Sequence, residues 1–332
     1  MKNSKQEKYL GDQLNHTGKI KETINERVSK GLAIVNEILA LIEEIPLGKY
    51  RLEIGLKLRQ AMLINGICFN SEAWHSVSKD DVKSIEKVDE CLLRSLLQSH
   101  PKAPLEFLYL ETGSLPISLI LASRRLMYLR TILMREDEEL IKRVYRKQQS
   151  QTTPGDFSEM VMEDFMRIGL VYDEARITSG GTHYQIEIRK HIRNAAFSEL
   201  KAKQIGHSKV KHINYEQFEK QHYLTSPLFS NEDVSTLSNL RSHTTRGIRA
   251  NFQNLYKNDT SCPLKCWPSG APQVQDTQQH LLFCEKLEID QNTTVATDVV
   301  KYDDIYGNVT QQKVAATLFT QLLACRNKLL DK

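Results

Sequence analysis

Near its C-terminal end the chain reads CPLKCWPSGAPQVQDTQQHLLFC, from Cys262 to Cys284. Cys262, Cys266, His280 and Cys284 stand in the pattern C-x3-C-x13-H-x3-C, and thiolate and imidazole are donors that borderline-soft metal ions take. No other feature constrains the fold as sharply, because one ion held by all four draws both ends of the segment to a point. Cys262 and Cys266 flank Pro263, whose fixed φ favours a turn that brings two thiolates together. His280 and Cys284 are four positions apart, so one helical turn presents both on one face. Asp276 or Thr277 can cap that turn, and Gln279 follows three residues after Asp276. Between the pairs, WPSGAPQVQ holds two prolines and a glycine and reads as a loop that folds back. A closed Cys3His set predicts a structural Zn2+, which contributes folding energy and no chemistry. The competing reading is a set of residues near one another only in sequence, since these intervals are not the commonest zinc-finger spacings.

The other cysteines do not extend the pattern. Cys68, Cys91 and Cys325 fall in apolar periodic segments and read as core thiols. Six unevenly placed cysteines make no disulfide framework in a chain of 332 residues. No apolar run approaches the roughly 20 residues that span a bilayer, and the polar start MKNSKQEKYLG lacks a signal-peptide core. The expectation is an intracellular chain, nuclear or cytoplasmic, with no membrane role.

Upstream, the periodicity is helical. Ile20, Ile24, Val28, Val35, Ile38, Leu39 and Ile42 recur at helical spacing until Pro46 and Gly48. Leu52, Leu56, Arg59, Met62 and Leu63 mark a second helix. A third opens at SKDD, with Ser78 as cap and Asp81 at the third helical position, and runs through Ile85, Val88, Leu92 and Leu96. HPKAPLEFLYLETGSLP, with three prolines, reads as a break, and residues 115–145 as helix again, with the Met and Leu residues of 126–134 in the core. KQQSQTTPGD is polar and aperiodic, a linker. A short helix follows at about 157–169, and Tyr184, Ile186 and Ile188 alternate as in a single strand. A basic helix over about 189–204, another from Ser230 or Asn231 to near Arg241, and a C-terminal helix over about 311–330 complete a mainly α fold with little strand.

The net charge of +4 is unevenly distributed. Residues 124–147 hold eight Lys/Arg against four acids, and residues 189–211 seven against one. Six of the ten histidines lie between His183 and His243. Such blocks suit contact with phosphates, whose neutralisation releases counterions; the plainer reading of each is a solvated helix face. The candidates on the second block are Arg189, Lys190, Arg193, Lys201 and Lys203. RSHTTRGIRANFQNLY adds Arg241, His243, Arg246 and Arg249, with Phe252 and Tyr256 suited to stacking on unpaired bases or to packing on the metal module. No nucleophile elbow or phosphate loop is present; ETGSLP and SGGTH lack the strand-to-helix context.

KYLGDQLNHTGKIKETINERVSKG, INGICFNSEAW, DECLLRSLLQ, LYLETGSLPISLILASRRLMYLRTIL, LRSHTTRGIRANFQNLY and CPLKC…DTQQHLLFC occur in this order. In that order the chain resembles the region after the polymerase core of non-LTR, LINE-like retrotransposon reverse transcriptases. The resemblance implies a helical thumb gripping a primer–template duplex, a helical linker, and a Cys-Cys-His-Cys knuckle that helps bind RNA or target DNA. Carried over, the thumb covers about 9–133, with Arg124 and Arg125 as phosphate candidates, and the knuckle ligands are Cys262, Cys266, His280 and Cys284. The loop between Cys266 and His280 is longer than is usual there. The chain then divides into a thumb-like helical domain (1–147), a linker (148–156), a basic helical linker domain (157–257), the zinc knuckle (258–290) and an acidic segment with the C-terminal helix (291–332).

The catalytic parts of such a polymerase are not expected here. A reverse transcriptase needs an aromatic-x-Asp-Asp turn holding two divalent ions. In VVKYDDIYGN, Lys301 stands two positions before Asp303, so Asp303 and Asp304 read as an acidic loop. KYLG begins at residue 8, leaving no room for fingers and palm, and 48 residues follow Cys284, too few for a nuclease. The expectation is a nucleic-acid-binding fragment with RNA or DNA as partner, and the missing polymerase core as a second partner if the gene is truncated. The alternative is a zinc-stapled protein-interaction or structural module.

Overall fold

The fold is given by a computed structural model, which describes residues 6–9, 12–15, 20–44, 51–74, 77–246, 248–249, 251, 259–266, 271–284, 286–287 and 302–331. The chain is mainly α-helical, as the periodicity predicts. Among the described residues the sheet is one antiparallel hairpin, β1 Gln6–Tyr9 with β2 Asp12–Asn15, paired Gln6 to Asn15 and Tyr9 to Asp12. Two compact units form, and both are assembled from separated stretches: 1–41, 56–92 and 114–201 in the first, 42–55, 93–113 and 202–332 in the second. Among the described residues no single helix is long and apolar enough to cross a membrane.

In the first unit, α1 (Lys21–Glu43) buries Ile24, Val35 and Ile38. It passes so close to its neighbours that a Cβ on Gly31 would meet Ile67 at 2.7 Å and Val88 at 2.9 Å, which only glycine avoids. The second helix is composite: α2 (Arg51–Leu58) widens into a π-turn at Arg59–Ile64 and closes with α3 (Asn65–Ile67). Arg59, at the start of the wide turn, makes a buried two-pronged pair with Asp89, both contacts 2.6 Å. Asp89 belongs to α4 (Lys79–Leu97), which begins where SKDD predicts: the Asp81 amide donates to Ser78 Oγ, 3.1 Å. Cys68 is buried as expected, and burial pushes its thiol up to about 12. Cys91, read as core, is exposed on α4, because the buried stripe of this helix runs through Val88, Leu92 and Leu93 instead.

The proline-rich stretch is not a break. Pro104 starts α5 (Leu105–Thr112) and Gly113, at φ +60°, ends it. A proline costs nothing at a helix start, where its missing N–H has no partner anyway, and a left-handed glycine is a favoured stop. The same logic starts α6 (Ile117–Leu133) at Pro116. Residues 115–145 are likewise not one helix: the chain turns at 134–139, and α7 (Leu140–Ser150) follows the acidic run Glu136–Glu139, whose negative charge suits a helix N-terminus. Leu126, Leu129, Ile132 and Leu133 are buried, but Met134, expected in the core, is 56% exposed at that turn.

KQQSQTTPGD contributes its first residues to α7 and then a turn that Asp156 closes by capping α8 (Phe157–Arg167), accepting from the Glu159 amide at 2.8 Å. Asp173 caps α9 (Glu174–Ser179) in the same way. The stretch read as a strand is instead the opening of α10 (Gly181–Ile205). Tyr184, Ile188, Ile192, Ala196 and Leu200 are buried at steps of four, whereas Ile186 faces solvent. Over five residues a period of 2 and a period of 3.6 predict nearly the same letters, and the longer run decides for helix.

The second unit is built on α5, α11 (Asn231–Arg241) and α12 (Val309–Leu330). α11 opens with the Ser230–Asp233 capping box and α12 with an Asn308–Gln311 box, so both predicted starts hold to within two residues. Their core is Phe107, Leu108, Leu110, Leu237, Leu240, Ala315, Leu318 and Phe319. Glu111, fully buried, accepts from Arg241 Nε at 3.1 Å, Arg241 Nη2 at 2.9 Å and the Tyr215 hydroxyl at 2.6 Å. The Arg241 guanidinium also lies 5.2 Å from the centre of the Tyr306 ring. Asp303 and Asp304 lie in the short 3-10 turn Tyr302–Tyr306. Residues 252–258, which include Phe252 and Tyr256, and residues 291–301 lie outside the described residues.

Candidate metal centre

The metal site begins with a backbone pairing. Ser261 and Gln275 form an antiparallel bridge; the Cys262 amide donates to the Val274 carbonyl at 2.8 Å, and the Asp276 amide to the Thr260 carbonyl at 2.6 Å. The interval between Cys266 and His280 is long because its second half returns to pair with the residues before Cys262. After Cys262 the chain turns through Pro263 and Leu264: the Lys265 amide donates back to the Cys262 carbonyl at 3.1 Å, and Lys265 takes φ +48°. That turn sets the two thiols on one side. His280 sits in a turn over Gln279–Phe283, and Cys284 ends it. The turn is 3-10, not α; Gln278 is its N-cap and makes no side-chain capping bond, while the Thr277 hydroxyl accepts from the His280 amide at 3.1 Å.

The four predicted ligands converge. Cys262 Sγ lies 4.0 Å from Cys284 Sγ, Cys266 Sγ lies 3.2 Å from His280 Nε2, and all four ligand atoms are within 4.8 Å of one another. The arrangement can hold a metal ion. Leu264 and Leu287 pack over the thiols. Burial pushes the Cys284 thiol up to about 12, raises that of Cys266 and lowers the pKa of His280. The resistance of Cys266 and Cys284 to ionisation is what a cation must overcome, so uptake releases protons and weakens in acid.

Two side chains of DTQQH anchor the centre in the second unit, and the sequence reading missed both roles. Asp276 is fully buried and takes two 2.6 Å contacts from Arg326 of α12, while its Oδ2 also accepts the Arg249 amide at 2.7 Å. Gln278 donates to the Leu240 carbonyl at 2.8 Å and accepts from the Thr245 hydroxyl at 2.9 Å. The available signal was the pairing of an acid beside the ligands with a lone Arg late in an apolar helix, and one chain does not say which Arg.

The predicted phosphate-binding residues fall into two groups. Arg189, Lys190, Arg193 and Lys203 are exposed on α10, and Lys201 is half-buried with its ammonium 5.3 Å from the Phe197 ring centre. Arg246 is exposed; Arg249 is half-buried and pairs with Asp259 at 2.6 Å. Arg125 and Arg241 point inward instead. Arg125 makes a buried pair with Asp164 at 2.7 and 2.9 Å, and Arg241 is the partner of Glu111. Arg124 donates to the Cys68 carbonyl at 2.6 Å and to Asn65 Oδ1 at 3.2 Å, so part of its donor set is already engaged.

Comparison with family models, with curated proteins and with solved structures finds no match. The donors themselves therefore define the site: three cysteines and a histidine around one point.

Proposed function

We propose that the chain is a nucleic-acid-binding part of a non-LTR retrotransposon reverse transcriptase, with a structural zinc ion at Cys262, Cys266, His280 and Cys284 and no catalysis of its own. The observation that carries the binding role is the outer face of α10. Arg189, Lys190, Arg193 and Lys203 are exposed there, and the acids of the same helix are already spoken for: Glu187 by Arg176 and Glu199 by Arg167. That leaves a net positive face, which attracts phosphates at long range and holds them by counterion release. The order of the sequence phrases supports the retroelement assignment.

Zinc is favoured by donor chemistry and spacing. A tetrahedral zinc with Zn–S of about 2.3 Å sets its sulfur atoms about 3.8 Å apart, close to the 4.0 Å between Cys262 and Cys284. A set with no open position supports a structural ion.

The test is titration of short single-stranded RNA and DNA into the zinc-loaded chain at several salt concentrations. Binding that weakens steeply with salt is expected, together with a loss of affinity when Arg189, Lys190 and Arg193 are changed to Gln. No binding at low salt sinks the assignment. It would favour the second reading, a zinc-stapled structural or protein-interaction module, which has its own support in the buried Asp276–Arg326 tie between the centre and α12.

A further inference from the structure

The second unit carries a groove beside α11 and α12. One part, about 750 Å³, is lined by Arg51, Asn231 and Ala324 among others; the adjoining part, about 430 Å³, is lined by His100 and Arg246. Gln98, Ser235 and Asn327 line both parts, so the two are continuous.

The lining is chemically one-sided. Arg51 lines the larger part and Arg246 the adjoining one, amides and hydroxyls line both, and Glu232 is the one carboxylate among the lining residues. Near His100 the positive charge is dense: burial and then Arg246, Lys209, Lys102 and Arg94 all lower its pKa. The wall also holds donors without acceptors. Arg51 Nε and Asn231 Nδ2 are buried and have no hydrogen-bond partner among the described residues. A buried donor left unmatched costs about 1–3 kcal/mol, and the two residues that carry these donors both line the groove. Asn231 is the first residue of α11, whose positive dipole end is offset by Glu232 and Asp233 in the same turn.

We propose that this groove seats the phosphates of single-stranded nucleic acid, with Arg51 and Arg246 as the clamps and Gln98, Ser235 and Asn327 as hydrogen-bonding groups between them. The inference rests on the nucleic-acid reading above and adds Arg51, Gln98, Ser235 and Asn327 to Arg246, which the sequence already marked. A cavity of a few hundred Å³ takes single nucleotide units and excludes a duplex.

The experiment compares the zinc-loaded full chain with three variants, using fluorescein-labelled oligouridylate and oligothymidylate. Arg51→Gln with Arg246→Gln removes the clamps. Asn327→Glu, at an exposed position of α12, places a carboxylate in the groove without disturbing the core and decides the matter if the first variant folds poorly. Arg189→Gln with Lys190→Gln and Arg193→Gln alters only α10. Both groove variants are expected to bind about tenfold or more weakly, and the double arginine variant to flatten the salt dependence by about 1.4 in log–log slope, two phosphates' worth. If both groove variants bind as wild type while the α10 variant weakens, the groove is overturned and the nucleic-acid reading stands. If the wild type binds neither oligonucleotide, the reading itself fails and the groove with it.

Discussion

Glu111, Arg241 and Tyr215 form a charged cluster with almost no contact with water. An Arg buried in this way keeps its charge, so its carboxylate cannot be removed without leaving a cation stranded in a low dielectric. Glu111→Gln is therefore expected to cost about 3–5 kcal/mol, read as a shift in the urea midpoint. His243 gives a pH-dependent counterpart. Burial, and then the neighbouring His212 and Lys209, hold its pKa down to about 4, against about 6.5 in an unfolded chain. As pH falls the unfolded state takes up the proton first, so the contribution is complete above about 6.5 and is lost between 6.5 and 4. His243 also sits at φ +49°, which Asn tolerates. The stability of His243→Asn should fall less than that of wild type between pH 7 and 4.5; parallel curves would contradict this. None of these partnerships was legible beforehand: Glu111 and Arg241 are 130 positions apart, and a sequence marks a charged residue without marking its partner.

At the level of the element, local signals read well where chemistry fixes a start. Ser78 and Ser230 each precede a helix by one residue, and each bonds the amide three positions on; Asn308 does the same for the helix expected from about 311, a cap not read in advance. Signals that depend on period read poorly over short runs, as the opening of α10 demonstrates. A strand would put Ile186 and Ile188 on one face; the helix separates them, leaving Ile186 57% exposed and Ile188 sealed. Ile188→Lys is expected to destabilise by more than about 3 kcal/mol, whereas Ile186→Lys should stay within about 0.5 kcal/mol. Thermal melts of the two variants check it, and equal losses would point back to a strand. The prolines at 104 and 116 mislead for a related reason. Read as breakers they dissolve α5, while in the structure they define where α5 and α6 begin.

At the scale of the whole molecule, the metal ligands were readable because donor type and spacing carry the geometry with them. The composition of the units was not, because segments such as 93–113 join residues far along the chain. On the proposed zinc reading, a chelator is expected to open the segment around Cys262–Cys284 first, since about 10 kcal/mol of local folding energy goes with such an ion. Loss of the Asp276 tie should then loosen α12. Hydrogen exchange is the measurement: amides of residues 259–287 and of α12 should lose protection, while the α6–α8 core of the first unit keeps its own. Uniform loss throughout would mean that the ion supports far more than its own module.

The tie between Asp276 and Arg326 also sets a timetable. The carboxylate that is sealed beside the knuckle waits for an arginine 50 residues further on. At synthesis rates of about 5–20 residues per second, that delay is about 3–10 seconds, during which the four donors can already be in place while their acidic neighbour holds the Arg249 amide but lacks its cationic partner. A nascent chain released or cleaved before Arg326 emerges would carry a carboxylate without its counter-cation beside the Cys3His cluster. Quality control thus has a physical handle: the last helix certifies the centre.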